Sequence, residues 1–485
     1  MKNYKWAVVG MVIVAQTLLF AAVSVEPDYR GWKWDDVHVA KNEYISVAVV
    51  PDSGGRILEY NLGDVPSLWV NPDMLGKSFE ATDELKGNEW RNFGGYRIVP
   101  IPVDESAVGK KGGVGRRWPP PAILGSSPYT AKIGKDSQGR ETIEVVSGIQ
   151  ELPVPSVNNK TGKFRYPKQI DVRLQYKRSL RIEPGTSLVH IRHTLLNRGD
   201  QTMKRGLKIT SQQISRSRPE LTDGENFRAY IPFDANLKIA TGEPYRISGS
   251  PKSRWRFVND KRRPLDENNP EHVAKYRNKG TNWKGEVAEG IFEIHYDYDL
   301  MAGFDVIAAK PWVCYVNQLE NTAFAKLIEP YDPSLDYELG SNLAIYNSGA
   351  STGYLETEVR TPLFSIPAGG KAEYRETHGA ARIASTPVLD VNLAGIITKR
   401  LSLGTAFHGE YGVFRAGAAV LRLKGPAGKP IREIKVGEVN PFKAFILQQK
   451  LDATGAQVAE VLIRTEDGEY LLDHCQIYNI GEKNP

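Results

Sequence analysis

Cysteine is scarce in this chain of 485 residues, which contains only Cys314 and Cys475. Two cysteines cannot build the disulfide framework on which small secreted domains depend. No Cys-x-x-Cys or His-Glu-x-x-His pattern occurs, so the sequence predicts no metal site, and it predicts no cofactor. We expect the two cysteines to be separate buried thiols, with a single bridge between them as the alternative.

Long hydrophobic runs are also lacking, apart from one at the beginning of the sequence. Lys2 and Lys5 precede the run WAVVGMVIVAQTLLFAAVS, which ends in the small-x-small pattern of Ala22 and Ser24. This arrangement predicts a signal peptide over residues 1–24 and therefore a periplasmic or secreted protein. The run is long for a signal peptide, so an uncleaved segment anchored in the inner membrane is the alternative. That segment is the one membrane contact that we expect.

Strong charge bias is absent from the whole chain, which has 63 basic and 57 acidic residues. The exception is the segment 251–284, where ten lysines and arginines face four acids and aromatic residues are interleaved. Export argues against nucleic acid as the partner of this segment. A solvated, extended insertion is the simpler interpretation. The alternative is a loop that meets an acidic ligand, because arginines suit carboxylate or sulfate oxygens and aromatic rings suit sugar faces.

Helical periodicity is scarce after the first 24 residues, whereas alternation of apolar and polar residues is common. The segment KQIDVRLQYKRSLRIEPGTSLVHIRHTLLNRGD places Val172, Leu174 and Tyr176 on one face, and a Pro-Gly turn then leads into a second strand. Many such strands over residues 25–385 predict an all-β domain built as a large sandwich or barrel, because a sheet must bury one face against another.

The last hundred residues have a different pattern, with short strands separated by Gly-Pro, Thr-Gly and Asp-Gly turns. This spacing is typical of an immunoglobulin-like or fibronectin-like β-sandwich, which we predict over residues 386–485. Packing or spacing is its expected role, and carbohydrate binding is the less favoured alternative.

Five segments of the large domain follow one another in an order that resembles the galactose-mutarotase-like (aldose 1-epimerase-like) superfamily. They are VVPDSGGRILEYNLGDVPSLWVNP, NFGGYRIVPIP, RRWPPP, LLNRGDQTMKRGLKITSQQ and YLETEVRTPLFSIPAGGKAEYRETH. Together they look like an uncharacterised bacterial family within that superfamily, over residues 37–383. The resemblance implies a β-supersandwich, in which two large antiparallel sheets carry a sugar-binding cleft on one concave face.

The resemblance also implies which residues line such a cleft. The stretch from Asn92 to Pro121 would form one wall, where glycines let the backbone approach a ligand or a neighbouring strand and Trp118 stands rigid before three prolines. The equally weighted alternative is that Trp118 and Arg97 have only structural roles in this wall. The residues predicted to bind substrate are Arg56, Asn92, Arg97, Trp118, Gln213 and, with lower weight, Lys326.

Mutarotation needs one group to take the proton of the anomeric hydroxyl and another to protonate the ring oxygen. Glu356 and Glu358 are candidate bases, because they are two residues apart on a predicted strand and so share a face. His295, among Tyr296, Asp297 and Tyr298, is the candidate acid. The histidine that the resemblance implies after LLNRGD is missing, since that place reads LKITSQQIS.

The missing histidine favours carbohydrate binding by an exported protein over catalysis. We expect the ligand to be acidic if the basic segment 251–284 takes part in binding. Two other functions are kept as alternatives. One is an enzyme at the same cleft, either a divergent aldose 1-epimerase or a polysaccharide lyase or hydrolase. The other is a structural role in the cell envelope.

Overall fold

The computed structural model describes residues 21–82, 91–103, 120–157, 161, 163–216, 224–247, 257–258, 263–264, 268–270, 285–295, 301–348 and 353–477. Within these ranges the regular structure is almost entirely antiparallel β-strand, and the predicted all-β class is confirmed. Residues 1–20, Trp118 and most of the basic segment 251–284 lie outside the described residues.

The first large sheet, sheet A, runs in the order β1-β2-β3-β4-β6-β13-β24-β23-β20-β15, with β5 beside β4 and β25 beside β13. Cleavage of the predicted signal peptide after Ser24 would remove three of the four residues of β1 (Ala22–Val25), which pairs with β2 (His38–Lys41). The strands are β1 (Ala22–Val25), β2 (His38–Lys41), β3 (Ile45–Val50), β4 (Arg56–Leu62), β5 (Val65–Pro66), β6 (Tyr96–Ile101), β13 (Met203–Ile214), β15 (Tyr245–Ile247), β20 (Met301–Val306), β23 (Leu343–Ser348), β24 (Tyr354–Arg360) and β25 (Phe364–Ile366).

The second large sheet, sheet B, runs in the order β18-β19-β14-β21-β22-β26-β12-β11-β8-β7. The strands are β7 (Thr130–Lys135), β8 (Glu141–Leu152), β11 (Val172–Ile182), β12 (Val189–Asn197), β14 (Phe227–Pro232), β18 (Gly285–Ala288), β19 (Ile291–His295), β21 (Trp312–Asn317), β22 (Thr322–Leu327) and β26 (Lys371–Arg382).

The main hydrophobic core lies between sheets A and B. Every second residue of the central strands faces it, such as Leu355 and Val359 on β24 and Leu174 and Tyr176 on β11. The predicted Pro-Gly turn joins β11 to β12 as expected. Because side chains alternate along a strand, the residues between these core positions point to the outer faces of the sandwich.

Two smaller sheets follow and enclose a core of their own. The first of them, sheet C, packs on sheet B through a separate apolar cluster that joins Trp312 and Cys314 to Val391 and Phe414. The strands of sheet C are β27 (Asp390–Val391), β28 (Gly395–Leu403), β29 (Phe407–Val413) and β32 (Phe445–Gln449), and those of sheet D are β30 (Gly417–Lys424), β31 (Pro430–Val439), β33 (Val458–Thr465) and β34 (Gly468–Gln476).

Helices are short, and none in the described ranges has the length and hydrophobicity that a bilayer crossing requires. Cys314 is buried on β21 and Cys475 is half-buried on β34, and the two thiols are unpaired. The remaining elements whose bounds lie in the described part of the chain are α1 (Ala122–Gly125), six 3₁₀ turns (Tyr29–Gly31, Pro51–Ser53, Pro72–Met74, Gly224–Asn226, Glu338–Gly340, Pro426–Gly428) and two hairpins, β9 (Ser156–Val157) with β10 (Phe164–Arg165) and β16 (Phe257–Val258) with β17 (Arg263–Pro264).

Candidate functional site

A row of charged side chains crosses the outer face of sheet A. On β24, Leu355 and Val359 fill the core, so Glu356 and Glu358 point to the opposite face. The register places Thr210 of β13 between Glu358 and Arg97 of β6, which brings three neighbouring strands to one site. We call this region the outer-face site.

Glu356 is the central residue of the outer-face site. Its Oε1 accepts hydrogen bonds from Nη2 of Arg97 at 3.2 Å and from Nε2 of Gln212 at 2.8 Å. Only 3% of the residue is exposed. Burial raises the pKa of Glu356, and the charge of Glu358 adds to this effect while Arg97 opposes it. The carboxyl is therefore held closer to its protonated form than an ordinary glutamate.

Glu358 has the opposite electrostatic environment. Its Oε1 accepts a hydrogen bond from Nζ of Lys208 at 2.7 Å. Burial works against ionisation here too, but Lys208 and Arg360 outweigh it and lower the pKa of Glu358 to about 2. Two carboxyl groups on one face of one strand are thus driven toward different protonation states.

An aromatic pair adjoins the glutamates. Tyr354 precedes Glu356 by two residues and lies on the same face, and its ring centroid is 5.0 Å from that of Trp69. The Tyr354 hydroxyl accepts a hydrogen bond of 3.5 Å from Nδ2 of Asn92. Trp69 is partly exposed, whereas Tyr354 and Asn92 are buried. The wall predicted from Asn92 onward therefore meets the site, although residues 104–119 lie outside the described ranges.

Arg56 is the first residue of β4, the strand beside β6, and its side chain connects the surrounding loops. Its guanidinium donates to the backbone carbonyls of Gly94 at 2.8 Å, Gly125 at 3.1 Å and Arg91 at 3.3 Å. Burial, reinforced by the nearby charge of Arg97, lowers the pKa of Arg56 well below its usual value. Two guanidinium groups therefore lie close together at one side of the site.

Gln213 and Lys326 were predicted to bind substrate, but both point into the sandwich, Gln213 from the inner face of sheet A and Lys326 from the inner face of sheet B. Nε2 of Gln213 donates to Oγ1 of Thr357 at 2.7 Å, and Nζ of Lys326 donates to the Thr357 carbonyl at 2.9 Å. Thr357 alternates with Glu356 and Glu358, so these bonds support β24 from behind. The side chain that reaches Glu356 from β13 is Gln212.

Lys326 belongs to a buried polar cluster in the middle of the sandwich. One carboxylate oxygen of Glu376 accepts hydrogen bonds from the Tyr96 hydroxyl and from Nε2 of His378, the latter at 3.1 Å, and lies 3.4 Å from Nε2 of His193. Burial lowers the pKa of both histidines. The cluster joins the inner faces of sheets A and B.

His295 was predicted as the catalytic acid and lies on β19 of sheet B. Its neighbours Phe292 and Ile294 face the main core, so His295 alternates to the outer face of sheet B together with Glu293. That face is on the far side of the sandwich from Glu356. The structure therefore brings the two predicted bases together with Arg97, Arg56 and Asn92, and not with His295.

Sequence reasoning missed the aromatic pair. Tyr354 could have been found, because it shares the strand face of Glu356 and Glu358 at a spacing of two. Trp69 is part of the SLWVNP segment that contributed to the resemblance, but its contact with Tyr354 depends on tertiary structure. Within the described ranges, no group of histidine, cysteine, aspartate and glutamate side chains could hold a metal ion.

No family model matches the sequence, and no curated protein matches it. Among solved structures, the chain is similar to a galactose mutarotase-like protein from Clostridium acetobutylicum, with 14% identity and a TM-score of 0.42 over 75% of this chain and 99% of that one. A galactose mutarotase-like protein from Lactobacillus casei shows 10% identity and a TM-score of 0.41, over 71% and 99% of the two chains. A protein from Synechocystis sp. PCC 6803 shows 12% identity and a TM-score of 0.39, over 79% and 100%.

Proposed function

We propose that the outer-face site binds a carbohydrate ring in an exported protein. One observation carries this proposal: Arg97 and Gln212 converge on the same oxygen of Glu356, beside the aromatic pair of Trp69 and Tyr354. Carbohydrate sites combine an aromatic surface for the ring with a few fixed polar groups for the hydroxyls. The signal sequence supports export, as an expectation from the sequence.

The partly exposed Trp69 gives the route by which a ligand would enter. A ring placed against its indole would bring hydroxyl groups toward the carboxyl of Glu356 and the guanidinium of Arg97, which are almost fully buried. These groups are held by neighbouring strands and not by loops, so little side-chain entropy is lost when they bind. The arrangement favours a small, well-defined ring over a flexible chain.

The two neighbouring guanidinium groups favour an acidic sugar. Arg56 and Arg97 repel each other, and this repulsion contributes to the lowered pKa of Arg56. A uronate carboxylate near both would relieve the repulsion and accept hydrogen bonds from a guanidinium. The expected ligand is therefore a uronic acid, with the neutral hexose of the same shape as the weaker ligand.

Titration calorimetry on the full chain with glucuronate and glucose tests the proposal. We expect Arg97→Gln to weaken glucuronate binding at least about tenfold, the change in affinity that corresponds to one charge-assisted hydrogen bond. Trp69→Ala should weaken both sugars, because it removes the surface against which either ring packs.

Arg375→Gln is the matched control, because the Arg375 side chain is 72% exposed on sheet B. It should bind both sugars like the unmodified chain. Equal binding by Arg97→Gln, with a native thermal unfolding curve, would contradict the proposal. Binding of neither sugar by the folded chain would favour a structural role for the charged row.

A second function, the interconversion of sugar anomers, is favoured by the different protonation of the two glutamates. Environments that drive two carboxyl groups apart in pKa are typical of acid and base partners. Glu356 as acid would protonate the ring oxygen while the bond from C1 to that oxygen breaks, and Glu358 as base would take the proton of the anomeric hydroxyl. The open-chain aldehyde then closes on its other face, and both protons return.

Anomer exchange measured by NMR on the same samples separates binding from catalysis. Exchange should be faster with the chain than without it, and both Glu356→Gln and Glu358→Gln should abolish the difference. Glu466→Gln, on an exposed turn, is the control and should exchange normally. Binding without accelerated exchange would leave the binding role alone, and release of unsaturated or reducing ends from a polymer would indicate lyase or hydrolase chemistry instead.

A further inference from the structure

A cavity of about 320 Å³ opens at one end of the large sandwich, where β24 ends at Arg360. Its wall comes from the loop that follows β22 and from the ends of β23, β24 and β26. Ligand pockets range from about 300 to 1,000 Å³, so this volume suits one small ring. The residues around it are Glu329, Pro330, Asp332, Leu335, Tyr337, Asn342, Arg360, Pro362 and Tyr374.

Two tyrosine hydroxyl groups at the cavity can donate hydrogen bonds to a ligand. The hydroxyl oxygen of Tyr374 accepts the backbone N–H of Glu329 at 3.2 Å, and that of Tyr337 accepts the N–H of Asp332 at 3.2 Å. Among the described residues nothing accepts the proton of either hydroxyl. Nε of Arg360 makes no hydrogen bond among them either, but it lies 3.7 Å from Oε2 of Glu338, with which it forms an ion pair. Tyr374 is buried and Tyr337 is half-buried. A buried donor without an acceptor is costly, so a bound ligand oxygen would stabilise the Tyr374 hydroxyl most.

Two carboxylates supply the acceptors. Oε1 of Glu329 accepts the N–H of Arg375 at 3.0 Å, and Oδ1 of Asp332 accepts both the N–H and the hydroxyl of Ser334. The second oxygen of each group makes no hydrogen bond with a described residue. No described lysine or arginine forms an ion pair with either carboxylate, whereas the charge of Arg360 is met by Asp305 at 2.6 Å and by Glu338 at 3.7 Å.

The cavity therefore combines uncompensated negative charge with donors for ligand oxygens and two tyrosine rings. A ring that carries hydroxyl groups and one cationic nitrogen satisfies all of these groups at once. An anionic ring would meet two carboxylates without a counter-ion, which opposes binding. We propose that this cavity is a binding site for an amino sugar in its protonated form.

The proposal does not rest on the function proposed for the outer-face site. Glu329 and Asp332 belong to the loop after β22, whereas Glu356 and Arg97 lie on central strands of sheet A. The two sites also differ in charge preference, since neighbouring guanidinium groups favour an acidic ring at the outer-face site. Each site therefore has variants that leave the other one intact.

Calorimetry of the full chain with glucosamine, glucose and glucuronate at about pH 6, where a free amino group carries its proton, tests this site. Glucosamine should bind at least about tenfold more tightly than glucose, because each ionic hydrogen bond contributes at least that factor. Asp332→Asn and Glu329→Gln should each reduce this preference about tenfold. Both side chains are exposed, so neither substitution endangers folding.

Two control variants complete the design. Asp467→Asn removes an exposed carboxylate from the turn between β33 and β34 and should not change glucosamine binding. Glu356→Gln should leave it unchanged as well, even if glucuronate binding is lost. The proposal is overturned if glucosamine fails to bind, if glucose or glucuronate binds the Arg97→Gln chain, whose outer-face site is weakened, as tightly as glucosamine does, or if Asp332→Asn keeps the full preference.

Discussion

Nζ of Lys326 on sheet B donates a 2.9 Å hydrogen bond to the backbone carbonyl of Thr357 on sheet A. Thr357 separates Glu356 from Glu358, so this bond fixes the strand that carries both carboxyl groups. The ammonium lies in the middle of the sandwich with 0% exposure. A buried cation therefore supports the outer-face site from the opposite side of the sheet.

Lys326→Met should remove one part of the pH dependence of stability. Burial lowers the pKa of Lys326 from 10.5 to about 8, against the attraction of Glu376. Between pH 8 and 10.5 the unfolded chain keeps a proton that the folded chain has released, so the free energy of unfolding rises with pH. Relative to the variant, the unmodified chain should gain about 3 kcal/mol across this window in urea titrations.

Lys399→Met, at a side chain 59% exposed, is the control for this measurement and should show no such difference. A constant offset between the unmodified chain and Lys326→Met from pH 8 to 10.5 would mean that Lys326 is charged throughout this range in the folded state.

Glu358→Gln should destabilise the chain more than Glu356→Gln at pH 7. The first substitution leaves the ammonium of Lys208 without its partner, and breaking a buried pair costs about 3 kcal/mol or more. The second takes the negative charge away from Arg97, 3.2 Å away, but the amide oxygen of Gln can still accept the Arg97 hydrogen bond, and burial already raises the pKa of Glu356, so its loss should be the smaller one. Urea unfolding of both variants gives the order, and the reverse order would contradict the electrostatic assignment.

The contribution of Glu358 to the stability of the folded chain should also depend on pH in acid. The pKa of Glu358 is about 2 in the folded state against 4.5 ordinarily, so its stabilisation is present above pH 4.5 and disappears as the pH falls toward 2. Unfolding curves recorded over this range should converge for the unmodified chain and Glu358→Gln. Curves that stay parallel would show that Glu358 has an ordinary pKa.

Gly95→Ala should be strongly destabilising. The backbone has φ +67° at Gly95, and a Cβ there would lie 2.3 Å from the carbonyl oxygen of Ile57. Both effects together should cost about 3 kcal/mol or more. Gly139→Ala is the matched control with φ +78° and open space, where only the backbone effect of about 1 kcal/mol is expected. Thermal unfolding measures both variants. Equal losses of stability would contradict the close approach of the Gly95 backbone to the Ile57 carbonyl.

The two thiols should react at different rates with a thiol reagent. Burial raises the pKa of Cys475 to about 11 and that of Cys314 further still. Cys475 is half-buried and should be labelled slowly in the folded chain, whereas Cys314 should be labelled only after unfolding. Two free thiols are expected in denaturant without reductant, and a count of zero would indicate a bridge.

Much of the strand pattern could be predicted from the sequence, because alternation is a local property. The segments around Val172 and Val189 form β11 and β12 where apolar alternation and the intervening turn place them. The shared face of Glu356 and Glu358 follows from the same rule. Apart from Arg360 on the same strand, their buried partners could not be predicted, since Arg97, Gln212 and Lys208 come from strands more than a hundred residues away along the chain.

The misplaced candidates show which information local patterns lack. Gln212 and Gln213 are adjacent and chemically identical, and only the strand phase relative to the core decides which of them meets Glu356. His295 has a polar neighbourhood in the sequence, but the sheet to which its strand belongs is set by long-range pairing with β14. Periodicity identifies a face, and tertiary structure decides what the face meets.

A crystal structure of the full chain with glucuronate would show directly whether the outer-face site binds an acidic sugar. We expect the sugar ring against Trp69, with its carboxylate within hydrogen-bond distance of Arg97 and a hydroxyl at Glu356. Glucuronate bound at the end cavity or on sheets C and D, with the outer-face site unchanged, would contradict it.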